Sequence, residues 1–116
     1  MVDFDDMLER YVNGYFDKQT NQKIEYIPPK FKIIFLDEAQ DLSLIQWNLF
    51  KKIEKQAEYS VVTGDDDQGI YKWNGADVDT FINLKGKRRV LKQSHRVPRK
   101  PFEVADKIIK KITNRV

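Results

Sequence analysis

The stretch that decides the fold is FKIIFLDEAQD, which occupies residues 31–41. Its first six residues are almost all apolar and favour β structure, which is the pattern of a strand covered on both faces in a parallel sheet. Two acids, Asp37 and Glu38, follow where that strand should end. Residues 31–36 therefore predict a buried strand that carries charge at its carboxyl end.

The rest of the chain alternates between helical and strand patterns. Apolar residues at helical spacing predict four helices, and two short runs predict further strands, of which the later is the weaker. Pro28 and Pro29 forbid helix, so residues 17–30 are predicted to be a connecting loop. The predicted elements are a helix over 4–15 capped by Asp3, the strand 31–36, a helix from a capping box at 43–46 to about residue 56, a strand over 59–63, a short helix capped by Asp77 that uses Val78, Phe81 and Ile82, a strand over 87–92, and a helix that opens at Pro101 and reaches Ile112.

Strands that alternate with helices indicate an α/β fold, because parallel strands need crossover connections. We expect a parallel sheet of about three strands flanked by helices. The 116 residues fit one domain. Leu, Ile, Val and Phe provide 34 of them, which is well above the roughly 20% below which a chain stays disordered.

Composition excludes several classes of function. The chain has no cysteine, which rules out disulfide scaffolds, thiolate zinc sites and cysteine nucleophiles and suits a cytoplasmic protein. The longest apolar run, Ile33 to Leu36, is far shorter than the ~20 residues of a membrane span, so no membrane partner is expected. The net charge of +3 permits a nucleic-acid partner without requiring one.

Polar groups follow all three predicted strands. They read DEAQD at 37–41, GDDDQG at 64–69 and QSHR at 93–96. The carboxyl ends of parallel strands meet at one edge of the sheet, and ligands of open α/β sheets bind there. We therefore expect the three groups to share a site.

Asp37 and Glu38 suit a magnesium–nucleotide site. One carboxylate can lie near the cation while the other orients or deprotonates the attacking water. The alternative is that both acids only favour the N-terminus of the following helix. Taken alone, the pair leaves both interpretations open.

The segment GDDDQGIYKWNGA at 64–76 joins an acidic turn to a glutamine and two aromatic residues. Loop aromatics beside a cation stack unpaired bases at about 1–3 kcal/mol each, which makes Tyr71 and Trp73 candidates for nucleic-acid binding. The alternative for both is burial in the core. A calcium loop is disfavoured, since that pattern has glycine at its sixth position and Gly69 stands fifth.

Two further candidates follow the third predicted strand. A guanidinium at Arg96 can hold a phosphate with two donors. Its alternative is a solvated charge in a run with Arg99 and Lys100. His95 is an ordinary loop histidine unless something else places it.

Together and in this order, the segments resemble the UvrD/Rep family of superfamily 1 DNA helicases. Residues 33–41 are similar to the family's motif II, residues 64–76 to motif III and residues 91–96 to motif IV. Residues 3–8, DFDDML, resemble the segment before its Walker B strand. The resemblance covers nearly the whole chain, and the acid–Gln–Tyr–Trp order of motif III makes it specific.

The resemblance implies part of a RecA-like domain of the P-loop NTPase class, with ATP and Mg²⁺ as cofactors and single-stranded DNA as a partner. It implies ATP hydrolysis coupled to translocation on that strand and to duplex unwinding. The resemblance also implies a role for each matching position. At the ATP site, Asp37 would hold Mg²⁺, Glu38 would activate water, Gln68 would sense the γ-phosphate, Arg96 would stabilise the transferring phosphoryl group and His95 would face the nucleotide base. Gln40, Asp41 and Asp65 would couple this site to its surroundings, and Tyr71 and Trp73 would stack on DNA bases.

The chain departs from the family pattern in three ways. Asn74 stands where the family usually has arginine, which puts an ion pair to the motif II acids in question. His95 stands where the family usually has tyrosine, which puts stacking on adenine in question. No Gly-x-x-x-x-Gly-Lys-Ser/Thr loop is present. Residues 1–116 are therefore expected to be the C-terminal half of a RecA-like helicase ATPase domain that lacks the Walker A loop, and the remaining motor domains of the same helicase are implied as partners.

Two other functions stay open from the residues. A Mg²⁺-dependent nuclease would use Asp37, Glu38 and the acids at 65–67 together at the sheet edge. A non-catalytic module would bind nucleic acid or a partner through Tyr71 and Trp73 alone.

Overall fold

The computed structural model of the chain describes residues 3–91, 93 and 95–111. Its helices and strands are α1 (Phe4–Asn13), β1 (Tyr15–Phe16), β2 (Lys23–Ile24), β3 (Phe31–Leu36), α2 (Leu44–Glu54), β4 (Ala57–Val62), α3 (Val78–Ile82) and α4 (Arg99–Ile109), and single 3₁₀ turns cover Ala39–Asp41, Asp66–Gln68 and Tyr71–Asn74. Among the described helices, none is long and apolar enough to cross a membrane.

The centre of the fold is the parallel pair β3 and β4. Ile33 lies opposite Tyr59 and Phe35 opposite Val61, and α2 provides the crossover between the two strands. This confirms the strand at 31–36 and the parallel arrangement. The second strand begins at Ala57, two residues earlier than predicted, because the chain pairs as soon as α2 ends.

The third strand, predicted over 87–92, is not found. Residues 87–91 have no regular secondary structure and Lys92 lies outside the described residues. Instead of pairing with a strand, Arg88 donates from its guanidinium to the carbonyls of Ile82, at 2.6 Å, and Leu84, at 2.8 Å. Arg88 thus bonds to carbonyl groups at the C-terminal end of α3 and just beyond it. The sheet in the described residues therefore has two parallel strands.

The predicted burial of β3 holds for one face only. Ile34 and Leu36 are half-buried, whereas Phe35 on the other face is 75% exposed. Helix α2 packs against one face of the β3–β4 pair, so residues 3–91 do not enclose this apolar strand on both faces. The exposed face of the pair comprises Phe31, Ile33, Phe35, Tyr59 and Val61.

The core lies under the covered face of the sheet and is formed by the turn that follows β3 and by α2. Ala39, Trp47 and Phe50 are buried, and the rings of Trp47 and Phe50 meet edge to face at 6.0 Å. Their half-buried neighbours are Ile34, Leu36, Leu42, Val62, Phe81 and Leu84.

Helix starts follow the sequence signals closely. Asp3 and Asp6 form a capping box on α1, and Ser43 and Gln46 form the predicted one on α2. Asp77 caps α3 as predicted by accepting from the backbone of Thr80 at 3.2 Å. The last helix instead begins at Arg99, so Pro101 stands third, a position where the missing N–H has no helical partner to lose.

The predicted loop at 17–30 contains a small hairpin, which corrects the expectation. Strands β1 and β2 pair antiparallel. The Asp17 carboxylate forms the turn between them by accepting from the backbone N–H groups of Gln19 and Thr20, both at 2.8 Å. These donors also hold the pKa of Asp17 below its usual value.

Candidate functional site

The carboxyl end of β3 presents an ionised aspartate. The Asp37 carboxylate accepts from the Thr63 hydroxyl, at the end of β4, and from the backbone N–H of Glu38 at 3.0 Å. These two donors hold the pKa of Asp37 below its usual value, the Thr63 hydroxyl most strongly. Asp37 is therefore a carboxylate at neutral pH, in the form that binds a hard cation.

Glu38 is held in an uncommon backbone conformation. Its φ of 53° and ψ of 41° lie in the left-handed region, which costs a non-glycine residue roughly 1–2 kcal/mol. The following residue, Ala39, donates its N–H to the Thr63 carbonyl at 3.0 Å, which fixes this turn to β4. The turn aims the Glu38 side chain at Gln40, whose Nε2 donates to Glu38 Oε2 at 2.7 Å.

Gln40 connects the turn after β3 with the turn after β4. It is only 2% exposed, and its Oε1 accepts from the backbone N–H of Asp65 at 3.0 Å. Gly64 permits this approach, since a Cβ there would lie 2.7 Å from Gln40 Oε1 and 2.9 Å from a ring atom of Phe81. The buried amide thus links Glu38 to the start of the acidic turn with both of its polar atoms in use.

The same network reaches Gln68. The Asp65 carboxylate accepts from the backbone N–H of Asp67 at 3.1 Å and from Gln68 Nε2 at 2.5 Å. Glu38, Gln40, Asp65 and Gln68 therefore form one continuous set of contacts. The structure brings these four predicted site residues together.

Asp41 is a predicted coupling residue with an unusual environment. Its Oδ1 is buried and has no hydrogen-bond partner within the described part of the chain. Native proteins rarely leave such an acceptor unpaired.

The aromatic loop, residues 69–76, presents its rings to solvent. Trp73 is 81% exposed and Tyr71 is 44% exposed, and their ring centroids lie 6.4 Å apart at an angle of 52°. The interpretation of these two residues as core residues is therefore wrong for this chain. Both rings have free surface for stacking.

His95 and Arg96 are exposed and lie in the bend at residues 95–97 that precedes α4. Their neighbours Lys92 and Ser94, also part of the predicted motif IV, lie outside the described residues. The roles of His95 and Arg96 stay predictions.

The acids of the site do not form a protein-only metal cage within the described residues. Among the described residues, no three or more acidic or histidine side chains gather as a metal-binding group. The nuclease alternative, which needs several such acids together, gains no support from this. Mg²⁺ bound with a nucleotide needs only one or two carboxylates, with phosphate oxygens and water completing its shell.

Sequence reasoning missed two residues whose side chains hold the site in place, Thr63 and Trp47. Thr63 was predicted only as the end of a strand, although a hydroxyl residue at the carboxyl end of the strand beside Asp37 is a usable signal. Trp47 was not singled out, yet its Nε1 donates to the carbonyl of Asp77 at 3.2 Å. A pattern of apolar spacing carries no information about that partner.

A model of the UvrD/REP helicase N-terminal domain matches residues 1–89 of the chain. This match implies the expected RecA-like α/β fold, with which the parallel pair and its crossover helix agree.

Curated relatives give the same result. The chain is 31% identical over 114 residues to the ATP-dependent DNA helicase PcrA of Staphylococcus epidermidis strain RP62A, covering 94% of this chain and 15% of the relative. It is 30% identical over 119 residues to PcrA of Bacillus subtilis strain 168, covering 98% of this chain and 16% of the relative. The chain thus spans about a sixth of the length of these helicases. It belongs to the UvrD/Rep helicase family.

Proposed function

We propose that residues 1–116 form the C-terminal half of a RecA-like ATPase domain of an ATP-dependent DNA helicase. In this role the chain supplies the water-activating and phosphate-sensing side of the ATP site together with a contact to single-stranded DNA. The observation that carries the proposal is the contact set Glu38–Gln40–Asp65–Gln68, which leads from the acids of β3 to the aromatic loop.

The ATP side of the site rests on Asp37 and Glu38. Bound Mg·ATP would supply the cation and the γ-phosphoryl group. Asp37, kept ionised by Thr63, would be the protein ligand of the cation. Glu38, oriented by Gln40, would accept the proton of the attacking water, and Arg96 would balance charge on the transferring group.

The DNA side of the site rests on Tyr71 and Trp73. Exposed aromatic rings stack on bases of any sequence, which suits a motor that moves along a strand. Gln68 would respond to the γ-phosphate and pass that state to the aromatic loop through Asp65. Gln40, Asp41 and Asp65 serve as the coupling residues between the two sides.

The phosphate-binding loop has to come from elsewhere in the helicase, because the chain has no Gly-x-x-x-x-Gly-Lys-Ser/Thr sequence. The proposal therefore includes the remaining motor domains of the same helicase as partners. A non-catalytic nucleic-acid module would use the same exposed rings but would not need the network around Glu38.

A graft distinguishes these two functions. The segment of the Bacillus subtilis relative that matches this chain is replaced by the chain, and ATP hydrolysis is measured with and without single-stranded DNA. We expect hydrolysis that falls by at least ~10²-fold in Glu38→Gln, the scale of general-base removal, while binding of Mg·ATP is retained. A folded graft whose hydrolysis is the same with Glu38 and with glutamine contradicts the proposal.

A further inference from the structure

The aromatic loop is fastened to the start of α2 at its C-terminal end. The backbone N–H of Asp77 donates to the Leu42 carbonyl at 2.7 Å, and Ala76 forms an antiparallel bridge with Ser43. The carbonyl of the same Asp77 accepts from Trp47 Nε1 at 3.2 Å. Both backbone polar groups of Asp77 are therefore bonded to the segment that follows motif II.

Trp47 provides the side-chain hydrogen bond of this attachment. It is completely buried, lies in the first turns of α2 and packs edge to face against Phe50. A buried indole N–H needs a partner, and here that partner is a backbone atom thirty residues further along the chain. The bond joins two elements that are distant in sequence.

Within the described residues, the aromatic loop also makes an exposed ion pair with α3, in which Lys72 Nζ lies 3.5 Å from the Asp79 carboxylate. The loop's 3₁₀ turn is closed by local bonds, such as Gly75 N–H to the Lys72 carbonyl at 3.2 Å. Ile70, Tyr71 and Trp73 are all exposed. The bonds at the two ends of the loop are the contact of Gln68 with Asp65 and the attachment at Asp77.

We propose that Trp47 is a positioning residue for the aromatic loop. Its indole N–H fixes the Asp77 carbonyl, so the rings of Tyr71 and Trp73 keep a defined orientation relative to Gln40 and Glu38. The use of this orientation in DNA binding rests on the proposed function. The orientation itself is a property of the free protein and is measured without DNA.

The first experiment labels the two tryptophans, Trp47 and Trp73, with 5-fluorotryptophan and records ¹⁹F NMR spectra. Trp47→Phe keeps a ring in the core and removes the donor. Phe50→Leu is the matched control, because it damages the same buried cluster and leaves the Asp77 carbonyl bonded. We expect the Trp73 resonance to shift in Trp47→Phe and to keep the parental position in Phe50→Leu. An unchanged resonance in Trp47→Phe, or equal shifts in both variants, overturns the proposal.

Hydrogen exchange in the parent protein needs no substitution and therefore tests the proposal even if Trp47→Phe does not fold. In the parent protein, the indole N–H of Trp47 and the backbone N–H of Asp77 should exchange with solvent at similar slow rates, both slower than the Gly75 N–H inside the loop. Exchange of the Asp77 N–H as fast as that of Gly75 contradicts a fixed attachment.

Binding of a fluorescent oligothymidylate tests the functional consequence. We expect Trp47→Phe to weaken binding by about 3- to 10-fold, the effect of losing one hydrogen bond of ordinary net strength, and Phe50→Leu to stay within about twofold of the parent. Equal weakening in both variants would make Trp47 merely structural. If the parent shows no Trp73-dependent binding, the proposed DNA contact fails, while the ¹⁹F result still decides the positioning role.

Discussion

At the scale of single residues, the site depends on short polar contacts between neighbouring strand ends. The Thr63 hydroxyl keeps Asp37 ionised, and the Gln40 amide ties Glu38 to the acidic turn. Glu38 and Gln40 belong to one segment, but Thr63 lies 26 residues beyond Asp37 and Asp65 lies 25 residues beyond Gln40. Their function therefore appears only once β3 and β4 pair.

Thr63→Val tests the first of these contacts. Losing the hydroxyl should raise the pKa of Asp37 toward its usual value, whereas Thr63→Ser should keep it lowered. Because the pKa of Asp37 is lowered on folding, its stabilising effect is present above the unfolded pKa and is lost as pH falls through the folded value. The loss should therefore occur at higher pH in Thr63→Val. NMR titration of the carboxyl carbon checks this, and equal pKa values in both variants would contradict it.

Trp73→Ala tests the exposed ring. We expect single-strand affinity to fall by ~1–3 kcal/mol, the value of one stacked base. Stability should change by less than about 0.5 kcal/mol, as for other surface substitutions, because the ring is 81% exposed. Thermal unfolding is measured beside an oligonucleotide titration, and Phe16→Ala, another exposed aromatic, is the control. A large melting shift without loss of affinity would refute the stacking role.

At the scale of elements, the segments 33–41 and 64–76 form one unit. The turn after β3 and the turn after β4 are joined by Gln40, and the loop that follows is joined to α2 by Asp77. At Gly64 the two turns lie so close that an added Cβ would stand 2.7 Å from Gln40 Oε1. Gln40 is thus held by packing as well as by hydrogen bonds.

Gly64→Ala should disturb this unit. The added methyl group would meet Gln40 Oε1 and the Phe81 ring at less than 3 Å, so we expect a loss of ~1–3 kcal/mol of stability, the usual cost of overpacking. In a Gln40→Ala background the same substitution should cost less, since the nearer clash is absent. Denaturant unfolding of the four proteins measures the difference. Fully additive effects would mean that Gln40 does not lie against Gly64.

The sequence predicted correctly those features whose interacting residues are close neighbours along the chain. The caps at Asp3, Ser43 and Asp77 act within one turn of helix, and all three are present in the structure. The run at 87–92 was assigned from its composition, but Arg88 bonds instead to carbonyls at the end of α3. Exposure of Trp73 was equally undecided in sequence, because aromatic residues suit both cores and binding surfaces.

At the scale of the whole molecule, the chain is short compared with its helicase relatives, and part of its sheet is uncovered. It spans 15–16% of the length of its helicase relatives, and one face of its parallel pair is apolar and exposed. The resemblance of its motifs, rather than composition or periodicity, identified the family. The match to the helicase N-terminal domain confirmed it.

The isolated chain should not hydrolyse ATP. Phosphoryl transfer depends mainly on positioning of the phosphates, and the loop that supplies it is absent from the sequence. We expect no hydrolysis above that of the Glu38→Gln variant in a sensitive phosphate-release assay. Mg²⁺- and Glu38-dependent turnover by the 116-residue chain would contradict this.

The most direct test of the central claim, that this chain joins ATP hydrolysis to a DNA contact, is the single-strand stimulation of hydrolysis in the grafted Bacillus helicase. The ratio of the rates with and without oligothymidylate is measured for the graft and for its Gln68→Ala variant. We predict that Gln68→Ala retains DNA binding but brings the ratio close to one, because the contact between Gln68 and Asp65 is lost. A ratio equal to that of the unsubstituted graft would contradict coupling through this network.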